Sequence, residues 1–189
     1  MDRSVRTIIS FSATVRVLSV ARPMHSFRKW WNAVVTIAIF PGIVSHEIAH
    51  LLACYVFGVE VHHGPSFSVF IDSVSLDHEP VNSFLADFGI AVAPFVVNTA
   101  LVVVALAGMK WVSGTPNAVV FLWLAVCFAL TAAPSESDTR SLVTMVRTLP
   151  SGVRPVGYLV AGMIRALTIR SEIAGVWSTL WFVVLYSAV

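Results

Sequence analysis

Residues 33–57 read as one apolar run, interrupted near the middle by His46, Glu47 and His50 in the sequence HEIAH. A stretch of this length can cross a bilayer, where a helix satisfies all of its own backbone hydrogen bonds. Two histidines four apart fall on one helical face, about 40° from each other at ~3.6 residues per turn. Both imidazoles can then reach one metal ion at the ~2.0–2.1 Å that zinc requires. Glu47 lies about 60° around from His50, placed to hold a water without being a ligand. Two neutral nitrogen ligands and a carboxylate base make up the working parts of a hydrolytic zinc site. Burying such groups in lipid is expensive, so an ionisable cluster at membrane depth reads as a functional site.

Composition points to the same class. Of 189 residues, 57% are hydrophobic and only 12% charged, against about 25% charged in soluble domains. The expectation is an all-α integral membrane protein of about four transmembrane helices, built as one compact domain. Cys54 and Cys127 both lie in apolar stretches and read as small core residues rather than as a disulfide. The net charge of +2 gives no argument for a nucleic-acid partner. The expected partners are the lipid bilayer and a transmembrane protein or peptide; oligomeric state is not legible. No secretory signal is expected at the N-terminus, because Asp2 comes first and Arg16 interrupts the apolar run at 7–21.

Residues 1–32 carry Arg3, Arg6, Arg16, Arg22, Arg28 and Lys29 and end in Trp30-Trp31, which suits a basic segment at the membrane interface. A core over 33–145 follows, with helices expected at about 33–57, 84–108 and 117–138. Pro41-Gly42 should kink the first helix, and the second carries Pro94 and Asn98. Residues 59–76 alternate and are rich in β-branched and aromatic residues, predicting a small β-hairpin insert with a turn at Gly64-Pro65. Such an edge strand could capture an extended peptide, or be an ordinary loop. Residues 146–189 hold an interfacial helix, marked by Arg165 and Arg170, and a last apolar segment at 173–189. Trp111, Trp177 and Trp181 read as interfacial or lipid-facing anchors.

If the core helices alternate in direction, the ends of the first and third lie on one side. Asp138 then falls near His46 and His50 and is a candidate third ligand, leaving a fourth position for water. Glu136, Asp87 and Asp72 are the competing carboxylates. Gly42, Ala49 and Ala53 flank the histidine face, either leaving room for metal and substrate or allowing close helix packing. His62 and His63 are adjacent on a predicted strand, point to opposite faces, and read as solvated rather than as a second metal site. His25 and His78 lie near membrane boundaries and are expected to face water or headgroups.

HEIAH in the first core helix, a strand-like insert, Pro94 and Asn98 in the second helix and an Asp in the third together resemble the site-2 protease family of intramembrane zinc metalloproteases. The resemblance spans roughly residues 33–145. It implies zinc bound by His46, His50 and Asp138, Glu47 as the catalytic base, and Asn98 as a donor to substrate or oxyanion. Two features depart from the family pattern. Ala93 stands where the family has Gly before the proline, and Asn98 is four residues after Pro94 rather than three. Asp138 sits in Pro134-Ser135-Glu136-Ser137-Asp138 and not before a glycine, so Glu136 stays open as the ligand. The implied activity is hydrolysis of peptide bonds in or beside transmembrane segments, by a short, divergent multi-pass protein of a prokaryotic plasma membrane. Two alternatives remain. A zinc transporter would need more spans and more histidines than a chain with none after His78. A catalytically silent relative acting as a membrane-bound binding partner would not need Glu47. Cation counts on the two flanks are too close to fix orientation.

Overall fold

The computed structural model describes residues 22–63, 77–78, 81–168 and 171–189. The chain is mostly helical among these residues. Helix α1 (Arg22–Ala38) leads into α2 (Phe40–Phe57), and the two are separate helices where the sequence suggested one kinked helix over 33–57. The break is at Ile39 (φ −104°, ψ 12°). Pro41 has no N–H for the carbonyl of Ile37, and its ring crowds that turn. The Gly42 N–H bonds to Ile39 O at 3.0 Å instead of to Ala38. Ala38 O is then taken by Trp123 Nε1 at 2.9 Å and Cys127 Sγ at 3.4 Å. A broken helix in an apolar setting persists when other groups satisfy the freed backbone in this way.

Helix α2 stops at Gly58, whose left-handed backbone (φ 66°) lets the chain reverse. The chain then enters a short strand, β1 (Val61–His63), which pairs antiparallel with β2 (Asp77–His78). The second strand expected within 59–76, and the turn at Gly64-Pro65, lie outside the described residues, as does Asp72.

Helix α3 (Phe84–Trp111) runs three residues beyond its expected end, and α4 (Asn117–Leu130) follows after a turn at Gly114 (φ 84°). The third helix expected over 117–138 is cut short. Pro134 offers no N–H to Leu130, so the regular helix ends there and residues 131–135 form a loop. A four-residue helical turn, α5 (Glu136–Thr139), then carries the acidic residues. Helix α6 (Leu142–Met145) and a 3₁₀ turn lead to α7 (Arg154–Thr168) and α8 (Ser171–Ala188).

Helices α2, α3 and α4 all pack on one another, α8 lies against α4 and α3, and α7 covers α5 and α6. Small residues permit the tightest of these approaches. A Cβ on Gly42 would stand 2.2 Å from Cys127 O, so α2 and α4 touch backbone to backbone there. Ala49, Ala53 and Cys54 are also buried along α2. At Gly42, close helix packing is the role the structure displays. The opposite face of α2 is exposed and apolar, with Leu52, Tyr55 and Val56 at 55%, 87% and 80% exposure. Helices α2 and α3 are long and apolar enough to cross a membrane, whereas α4 and the apolar part of α8 are shorter. At ~1.5 Å per residue, the 18 residues of α2 reach about 27 Å and the 14 of α4 about 21 Å. Both cysteines are free and buried.

Candidate metal centre

The i, i+4 spacing on α2 brings the two imidazoles together as the sequence required. Their Nε2 atoms are 3.2 Å apart and the rings meet edge to face, with centroids separated by 4.8 Å. Asp138 Oδ2 completes a triangle, 3.6 Å from His46 Nε2 and 3.3 Å from His50 Nε2. Ligands at ~2.0–2.1 Å around a tetrahedral ion are about 3.3–3.4 Å from one another. The three atoms therefore have the spacing of three corners of such a site. Among the described residues they form the group that could hold a metal ion.

Hydrogen bonding on the far side of each ring settles which nitrogen faces the centre. His46 Nδ1 is 2.7 Å from the carbonyl of Thr131, and His50 Nδ1 is 2.9 Å from the carbonyl of Ile90. A carbonyl can only accept, so each Nδ1 must carry the hydrogen and donate it. In neutral rings this leaves the Nε2 lone pairs converging on one another and on a carboxylate oxygen. That arrangement could hold a cation between them, and carbonyl-anchored histidines are the usual second layer of a metal site. Donor chemistry and spacing thus both fit a divalent ion such as zinc.

Asp138 is held by its own turn as well. Its Oδ2 accepts the Ser135 N–H at 2.6 Å, and the Asp138 N–H lies 3.3 Å from Ser135 Oγ. Glu136 is turned away. Its carboxylate is 3.6 Å from Arg140 and 3.8 Å from Arg165, so of the two acids on α5 it is Asp138 that meets the histidines. Asp87 is also elsewhere, accepting a hydrogen bond from Ser141 Oγ at 2.8 Å.

Glu47 is buried at 6% exposure, and its electrostatic neighbours are His46, His50 and Asp138. Asn98 is fully buried. Its amide nitrogen donates to Thr131 O at 3.0 Å and to Thr131 Oγ1 at 3.1 Å, while its Oδ1 accepts from Ser45 Oγ at 2.7 Å. In this arrangement Asn98 ties α2, α3 and the end of α4 together. The resemblance implies a donor to substrate or oxyanion; here the Asn98 amide nitrogen is engaged with Thr131. Thr131 was not foreseen, although it holds both His46 and Asn98. Its only sequence signal is Pro134 three residues later, which marks a helix end and hence a carbonyl with no helical partner.

Other expectations resolve by placement. His62 is exposed, and the side chains of His25, His63 and His78 lie outside the described residues. Trp111 is 91% exposed. Trp181 instead donates to Thr99 Oγ1 at 3.0 Å and packs on Phe95, so it joins α8 to α3. No family model, curated protein or solved structure matches this chain.

Proposed function

We propose that this protein is an intramembrane zinc metalloprotease similar to the site-2 proteases, hydrolysing peptide bonds in or beside membrane-spanning segments of other proteins. The observation that carries the reading is the convergence of His46 Nε2, His50 Nε2 and Asp138 Oδ2 within 3.2–3.6 Å of one another, beside a buried Glu47 on a helix able to span a bilayer. In this reading α4 and α8 complete four spans as short or tilted crossings, and the paired strands belong to a hairpin that receives substrate. The setting is a multi-pass position in a prokaryotic plasma membrane.

His46, His50 and Asp138 would hold the zinc, which would supply Lewis acidity towards a water and the scissile carbonyl. Glu47 takes a proton from the attacking water as the oxygen–carbon bond forms. It then delivers that proton to the amide nitrogen as the carbon–nitrogen bond breaks. His46 and His50 stay aimed at the centre because Thr131 and Ile90 hold their outer nitrogens. Asn98 acts one step back, fixing the Thr131 carbonyl against which His46 is set.

Glu47→Gln is the decisive variant. Purified in detergent, it should retain wild-type zinc content while cleavage of a membrane-spanning reporter falls by about 10²–10⁴-fold. Cleavage by the variant at the wild-type rate would remove the protease assignment. Zinc flux into liposomes, equal in wild type and variant, would favour transport instead.

A further inference from the structure

The acceptor that orients His50 should not be free in an ordinary helix. Ile90 lies inside α3, where each carbonyl normally receives the N–H four residues on. For Ile90 that residue is Pro94, which has no N–H and whose ring presses against the carbonyl it would have paired with. Ile90 is 5% exposed and Pro94 is fully buried, so bulk water is no substitute partner. A buried carbonyl left in this state is costly unless another donor reaches it. The donor that reaches it is His50 Nδ1, from α2, at 2.9 Å.

The geometry points to Pro94 as a positioning residue for the metal centre. By leaving the Ile90 carbonyl without a helical donor, it creates the acceptor that fixes His50 with its hydrogen on Nδ1 and its lone pair on Nε2. This rests on the metal-centre reading above and specifies how one of its ligands is prepared. Helical spacing extends the argument along the same stripe, because Ile90, Pro94 and Asn98 succeed one another at four-residue steps, and all three are buried. Ile90 serves His50 directly, and Asn98 serves His46 through Thr131. Each histidine thus leans on a carbonyl with no helical donor, one released by a proline in mid-helix and the other by the end of α4. A proline kept only to bend α3 for packing predicts none of this dependence on the missing N–H.

The test separates the missing N–H from the ring. Two full-length variants are compared with wild type in lipid nanodiscs. Pro94→Ala restores an N–H to Ile90. The second carries lactic acid at position 94, an ester link that lacks both ring and N–H. Zinc affinity is measured by competition with a chromophoric chelator, and the tautomer of His50 by nitrogen-15 NMR of metal-free, histidine-labelled protein. Pro94→Ala should bind zinc about 10–100-fold more weakly, the usual effect of losing an outer-layer partner, and should show His50 drifting towards the Nε2–H form. The lactate variant should stay close to wild type in both readouts. Wild-type affinity and an unchanged His50 spectrum in Pro94→Ala would overturn the inference, as would equal weakening in both variants. If wild type itself binds no zinc, the protease reading fails. The NMR comparison then still decides the role of Pro94, a shifted tautomer supporting it and an unshifted one ending it.

Discussion

Helix α2 and the short turn α5 supply the same centre by opposite means. Helix α2 presents His46 and His50 from an 18-residue helix, and their separation follows from its pitch alone. Turn α5 has four residues, too few to be stable by itself, since isolated helices need about 12–15 residues even to be marginal. It is held from outside. Thr139 Oγ1 meets Thr168 Oγ1 of α7 at 2.9 Å in a buried contact, and Glu136 faces Arg165 of α7 at 3.8 Å. The lesson is that a ligand on a long helix is placed by local geometry, whereas a ligand on a turn is placed by whatever packs behind it.

Five variants probe that contrast, in falling order of expected effect. His50→Ala and Asp138→Ala should be equally severe, each reducing bound zinc from about one per chain to almost none, because a site with three protein ligands tolerates no loss. Elemental analysis of purified protein checks this, and metal retained in Asp138→Ala would mean that the turn is not part of the centre. Gly42→Ala tests the helix side. Its Cβ would sit 2.2 Å from Cys127 O, so α2 and α4 must separate, at about 1–3 kcal/mol of stability and with weaker zinc binding. Denaturant unfolding in detergent measures the loss; unchanged stability would show that the interface is loose.

Thr168→Val tests the turn side without touching a ligand. Losing the α7 partner of Thr139 should lower stability by about 0.5–1.5 kcal/mol and zinc affinity by about tenfold. An unaltered affinity in the chelator assay would free the Asp138 turn from dependence on α7. Glu136→Gln should do least. Its carboxylate side chain is 48% exposed, and exposed ion pairs contribute about 0–1 kcal/mol, so zinc content should match wild type. Loss of metal in this variant would make Glu136 a ligand after all.

Much of the site could be read from the chain because helical periodicity is local. HEIAH on an apolar run gives the paired imidazoles and Glu47, and proximity of the third helix's end suggests an acid. Choosing Asp138 over Glu136 required the fold, since both lie on α5 and only the direction of that turn separates them. The broken helices were less legible. Pro41 and Pro134 announce interruptions, but a kink and a full break look alike until the donors that cap the freed carbonyls are known. Trp123 and Cys127 supply them at Ala38, from a helix about 85 residues further on.

Asn98 and Thr131 mark the boundary. A resemblance could propose a role for Asn98, but its amide is committed to Thr131 and its carbonyl to Ser45, contacts between segments far apart in sequence. By itself the sequence determined an apolar helical protein with two histidines and a glutamate on one helix, because composition and pitch are properties of neighbouring residues. Which acid joins them, which nitrogen of each ring faces inward, and which carbonyls hold the rings were decided only by tertiary packing. Those outcomes depend on backbone groups of α3 and α4 brought against α2, and every backbone carbonyl looks the same in a sequence.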